Sequence, residues 1–138
     1  MTNSPESRAI FSWPVRVYWE DTDAGGVVYY ANYLKFMERA RSEWLRALGF
    51  DQGRLRDELS LIFVVRQVTI EYLKPARYDD LLTVTARLKQ AGRASLVMSQ
   101  TVELDGLLGR AEVTLACVHA QSFKPARIPA QMLHAIKE

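Results

Sequence analysis

Asp21 and Asp23 stand two residues apart, and a glycine pair, Gly25-Gly26, follows them ahead of a strongly amphipathic segment. A negative charge, a main chain that can approach a ligand closely for want of a Cβ, and the positive end of a helix dipole therefore converge on one turn. The first N–H groups of a helix have no partner within it, and donors of that kind can hold a developing oxyanion. On these grounds the stretch from Trp19 to Tyr33 reads as a catalytic turn. Taken by themselves, two acids ahead of a helix are most often turn formers or dipole-complementing residues.

Regular elements must position that turn. From Pro14 to Trp19 the pattern alternates, with Val15, Val17 and Trp19 on one side and Arg16, Tyr18 and Glu20 on the other, as in a half-buried strand. After Asn32 the apolar residues Tyr33, Met37, Ala40, Trp44 and Leu48, widened by Phe36 and Leu45, fall at helical spacing. A helix over Leu34–Leu48 is expected, with Gly49 as its stop. The polar segment Gln52–Ser60 is a short helical turn or loop. Four strands should follow: Ile62–Leu73, ended by Lys74-Pro75; an alternating run through Leu82, Val84, Ala86 and Leu88; Leu96–Leu104, reached by a turn around Gly92; and a last strand through Ala111, Val113, Leu115 and Cys117 after Asp105-Gly106. One strand, one long helix and a run of antiparallel strands make an α+β chain whose sheet must cover the helix's apolar stripe.

The composition sets wider bounds. At 138 residues, 49% hydrophobic and 25% charged, the chain suits one globular domain, here taken as residues 13–138 behind a flexible N-terminal segment, 1–12. Met1–Ser12 has no apolar core of signal-peptide length, and no segment reaches the roughly 18 apolar residues of a membrane span, so a cytoplasmic location without membrane insertion is expected. Cys117 is the only cysteine, which excludes an intrachain disulfide and a cysteine-rich zinc site; it sits in a strand-like run as a small buried hydrophobe. The formal charge of +2 is spread along the chain, which argues against nucleic acid as a partner and permits a phosphate-bearing small molecule. No histidine pair has metal-binding spacing, so no metal is expected, and His119 should be partly buried in the last strand.

The run Asp-Thr-Asp-Ala-Gly-Gly-Val-Val-Tyr, followed by Asn-Tyr and a helix carrying Met-Glu-Arg-Ala-Arg-Ser-Glu, resembles the hot-dog-fold acyl-CoA thioesterases. It is most similar to the short bacterial branch associated with the Tol–Pal envelope system, and more distantly to the 4-hydroxybenzoyl-CoA thioesterases. The resemblance runs from about Val15 to about Pro129. Tyr30 departs from it, standing where the Tol–Pal branch often carries His, so no imidazole role is carried over. The family's fold is a curved antiparallel sheet wrapped around a central helix.

The resemblance implies hydrolysis of a coenzyme A thioester, without redox cofactor, by Asp23 acting as nucleophile or general base. It gives Asp21 a structural hydrogen-bonding role and makes the main-chain N–H of Tyr30 the oxyanion donor. Tyr29 and Tyr33 divide between packing and lining an acyl pocket. Arg93 and Ser95 match positions that contact coenzyme A phosphates, with Lys124 and Arg127 as further candidates. Acyl carrier protein thioesters remain open as substrates. Family members commonly join sheet edges, so a homodimer or homotetramer is expected, with sites at the dimer interface. Two rivals differ in class: a non-catalytic thioester-binding or scaffold protein of the envelope machinery, and a hot-dog dehydratase or hydratase, which would ordinarily want a His–Asp pair near the helix.

Overall fold

The computed structural model describes residues 9–137. The elements in chain order are β1 (Phe11–Arg16), a single 3-10 turn (Trp19–Asp21), α1 (Asn32–Ala47), α2 (Gln52–Leu59), β2 (Leu61–Tyr72), β3 (Leu81–Ala91), β4 (Ser95–Glu103), β5 (Leu107–His119) and α3 (Ala130–Lys137). The strands form one antiparallel sheet in the order β1-β3-β4-β5-β2, packed against α1. Along α1 the buried residues Tyr33, Phe36, Met37, Ala40, Trp44 and Leu45 follow the helical period. They meet inward-facing residues such as Leu82, Val84, Met98 and Val113, which the two-residue period of their strands aims at the helix. At about 1.5–3 kcal/mol for each large apolar side chain buried, this stripe is the main attachment of helix to sheet. The architecture is the α+β hot-dog arrangement.

Several details depart from the sequence pattern. The first strand begins at Phe11 and ends at Arg16. Val15 and Val17 are buried as their alternation requires, but Trp19 is 68% exposed. The reason is that Val17 still bonds its in-register partner Asp80 through its N–H, but its carbonyl accepts the Asp79 N–H one residue out of register, and the chain then closes the 3-10 turn. Phe11 and Ser12, counted with the flexible segment, thus belong to the sheet; residues 1–8 of that segment lie outside the described residues. His119 ends β5 exposed rather than partly buried, where its N–H donates to the Lys124 carbonyl at 2.9 Å. Gln52–Leu59 is a complete helix, because the Asp51 carboxylate caps it through Gly53 and Arg54 N–H. The α3 helix has no counterpart in the sequence reading.

Cys117 is fully buried, and burial pushes its thiol above the ordinary cysteine range. Native protein is therefore expected to resist a maleimide that labels the same cysteine promptly in denaturant, as mass spectrometry would show. Equal labelling rates in both states would contradict the packing of β5.

Candidate active site

The turn between β1 and α1 is built around main-chain and side-chain bonds to its two aspartates. Asp21 is buried; its Oδ2 accepts the Tyr18 N–H at 2.8 Å. Its carbonyl accepts both the Tyr29 N–H and the Asn32 Nδ2, each at 2.9 Å. Asp23 is exposed, yet its main chain is fixed: its N–H donates to Val27 at 2.9 Å and its carbonyl accepts the Gly26 N–H at 3.0 Å. Its Oδ1 accepts the Gly25 N–H at 2.8 Å, and among the described residues Oδ2 has no protein donor. A Cβ at Gly25 would stand 3.2 Å from that Oδ1, and Gly26 holds φ +78°, so the pair is required for the turn to close beneath the carboxylate.

The helix start is less open than dipole reasoning suggests. Asn32, Tyr33 and Leu34 donate their N–H groups to Tyr29, Tyr30 and Ala31 in tight three-residue bonds. The Tyr30 N–H, just ahead of α1, carries no bond among the described residues. Its own carbonyl accepts the Tyr72 hydroxyl at 3.1 Å, which ties the turn to the end of β2. The Tyr30 phenol is exposed and its ring lies 4.8 Å from that of Tyr29, also exposed. Contact with Tyr30 raises the Tyr29 phenol above the ordinary tyrosine range. Tyr33 points the other way: it is buried, and its hydroxyl accepts the Ala76 N–H at 2.9 Å. Burial raises its pKa, with the Ala76 bond pulling the opposite way. The structure thus gives Tyr33 a packing position and leaves Tyr29 and Tyr30 on the surface of the turn.

Arg93 and Ser95 stand elsewhere. Tyr72, Gly109, Val102 and Val84 form one row across the sheet at the Asp23 end, whereas Ser95 is opposite Ala116 at the other end. Seven residues of β4, from Ser95 to Val102, or about 23 Å, separate the two rows within one chain. At that far end the cations are grouped. The Arg93 carbonyl accepts the Ile128 N–H at 2.8 Å, which brings the segment containing Lys124 and Arg127 alongside the exposed Arg93. No group of three or more His, Cys, Asp or Glu side chains suited to a metal ion occurs among the described residues.

The sequence reading passed over two residues of the site. Asn32 lies inside the motif and latches helix to turn, while Tyr72 arrives from 42 residues further on, where no local pattern announces it. Asn32→Ala should cost about 1–3 kcal/mol of stability in urea unfolding, because the Asp21 carbonyl loses a buried donor. An unchanged midpoint would show that the Tyr29 N–H alone satisfies that carbonyl.

A five-stranded antiparallel sheet packed on one long helix is the hot-dog architecture. Residues 25–108 match the thioesterase superfamily, and the chain belongs to that family. Among relatives, the acyl-CoA thioester hydrolase YbgC of Escherichia coli O6:H1 is 45% identical over 131 residues, covering 94% of this chain and 97% of that one. The acyl-CoA thioesterase YbgC of Haemophilus influenzae is 46% identical over 123 residues, 88% of this chain and 90% of the relative. The crystal structure of a probable thioesterase from Bartonella henselae superposes with a TM-score of 0.84 at 39% identity, covering 88% of this chain and all of that chain.

Proposed function

We propose that this thioesterase hydrolyses an acyl-CoA to the free acid and coenzyme A, with Asp23 as the reacting carboxylate and the Tyr30 main-chain N–H as the oxyanion donor. The observation that carries the reading is that one turn holds an exposed carboxylate with an open oxygen and a main-chain donor without a partner among the described residues. Either an Asp23 oxygen attacks the thioester carbonyl, expelling the coenzyme A thiolate to leave a mixed anhydride that water opens, or Asp23 takes a proton from the water that attacks. In both routes the carbonyl oxygen becomes negative, and an N–H held by a rigid turn stabilises that charge without reorganising. The relatives are named for acyl-CoA thioesters, which supports the same substrate class here.

The coenzyme A phosphates are assigned to Arg93 and Ser95, with Lys124 and Arg127 nearby. The separation of these groups from Asp23 in one chain makes them contributions from a second copy. Both β1 and β2 are open sheet edges, and pairing of β2 with its own copy would continue the sheet. A dimer is thus the smallest working unit, a tetramer an extension of it, and the cytoplasm its place of action. Release of free thiol from a panel of acyl-CoA and acyl carrier protein thioesters tests the activity; absence of turnover across the panel would refute it. Equilibrium sedimentation showing a fully active monomer would remove the shared site. Tyr30→Phe keeps the main-chain donor, so kcat should stay within about tenfold, whereas a loss of roughly 10²–10³ would move the role to the phenol.

A further inference from the structure

Arg41 projects from α1 toward the sheet and is only 8% exposed, an unusual place for a guanidinium. Its Nη1 donates to Gln100 Oε1 at 2.9 Å, and Gln100 in turn spends its Nε2 on the carbonyls of Met37 and Thr85, at 3.0 and 3.1 Å. That is the one hydrogen bond described for a group with five N–H donors. Glu38 stands exposed nearby and acts on Arg41 through its charge, but no ion pair joins them among the described residues. A buried charge with a single neutral acceptor is expensive unless something else answers it. Beside Arg41 is a cavity of about 310 Å³ between α1 and β2. Glu38, Ser42 and Gln52 form its other polar wall, with Ser42 and Gln52 already bonded to each other, and Phe63 and Val65 of the β2 edge are among its apolar side.

This cavity is remote from the Asp23 turn of its own chain: from Asn32 to Arg41 the helix climbs about 14 Å, and Val65 lies seven residues, about 23 Å, along β2 from Tyr72. Across a paired β2 edge the geometry reverses. A two-fold joining two copies of β2 runs them antiparallel, so the Tyr72 end of one copy, where Tyr30 and Asp23 sit, lies toward the Leu61 end of the other, where Phe63 and Val65 bound the cavity. We propose that the α1–β2 cavity of one copy receives the far end of the acyl group whose thioester is held at the Asp23 turn of the second copy, and that Arg41 selects acyl groups ending in a carboxylate. The apolar wall takes the methylene chain, and the guanidinium offers its remaining donors to the terminal oxygens. The inference rests on the acyl-CoA reading above and names the substrate class of that same site.

The test compares kcat/KM for succinyl-CoA and adipoyl-CoA with that for butyryl-CoA and hexanoyl-CoA, and for longer pairs of matched length. In the wild-type protein at least one carboxylated thioester should exceed its neutral partner by about tenfold or more. Arg41→Met, in dimers that sediment as the wild type does, should bring that ratio to about one or below. A hybrid dimer purified from differently tagged Asp23→Asn and Arg41→Met chains should regain about half of the wild-type activity on the carboxylated substrate, because one of its two sites combines an intact Asp23 with the other chain's intact Arg41. Neutral substrates preferred at every length by the wild type, a ratio unmoved by Arg41→Met, or a hybrid no better than its parents would each overturn the proposal. If Arg41→Met does not fold, the wild-type ratio decides alone. Turnover without preference removes this inference and leaves the hydrolase reading standing, whereas no turnover of any thioester removes both.

Discussion

Asp23→Asn lowers kcat by roughly 10²–10⁴ while the protein remains folded and assembled. The amide keeps the size of the carboxylate, and its oxygen can still accept the Gly25 N–H that now reaches Oδ1 at 2.8 Å. Asp23 is exposed and its main chain is held by Val27 and Gly26 independently of the side chain, so the substitution breaks none of the bonds that shape the turn. What it removes is the negative charge on an oxygen that has no protein donor among the described residues. An amide neither attacks a thioester usefully nor takes a proton from water, so the loss falls on the chemical step and substrate binding should persist. Stopped-flow release of thiol with the variant at saturating substrate gives the measurement. Near-normal turnover by folded Asp23→Asn would refute the mechanism and turn attention to Glu38 and Glu43 on α1, of which Glu43 is already bonded to Arg46.

The difference between what the chain shows in sequence and what it hides follows the range of the interactions. The buried face of α1 from Tyr33 to Leu45 is visible because a period of 3.6 residues is a local property, and the strand pairs either side of Gly92 and Asp105-Gly106 are visible because a tight turn fixes its own register. Trp19 misleads for the same reason in reverse. It continues an alternation that the chain abandons after Val17, when Asp79, more than sixty residues away, donates its N–H to the Val17 carbonyl one residue out of register. Asp21, Asp23, Gly25 and Gly26 stand out because their work is done within one turn. Arg41 does not: helical spacing sets it on the stripe of Met37, Trp44 and Leu45, but its charge argues for the outside, and only Gln100, 59 residues later, makes an inside position tolerable. Arg93 and Ser95 could be named by resemblance, but nothing in a linear sequence says that they lie at the opposite end of the sheet from Asp23.

Gln100→Leu is expected to destabilise the fold by about 3 kcal/mol, measured by urea unfolding. Gln100 is 1% exposed, and leucine fits the apolar surroundings, so lost packing is not the main effect. The Met37 carbonyl lies within α1, whose own ladder still engages it, but the Thr85 carbonyl sits at a gap in the β3–β4 register and loses a donor. The larger cost falls on Arg41, which loses the one hydrogen-bond acceptor described for it while remaining charged and buried. Burial already lowers the Arg41 pKa, yet an arginine starts so far above neutrality that the group stays protonated and cannot escape by titrating. Adding Arg41→Met to Gln100→Leu removes the stranded charge, so the double variant should be more stable than Gln100→Leu alone, even though two buried side chains have changed. A double-mutant cycle reads this as a coupling between sites that are distant in sequence and adjacent in space. Strictly additive losses would mean that Arg41 finds other acceptors without Gln100, and would weaken the case that its unused donors await a carboxylate.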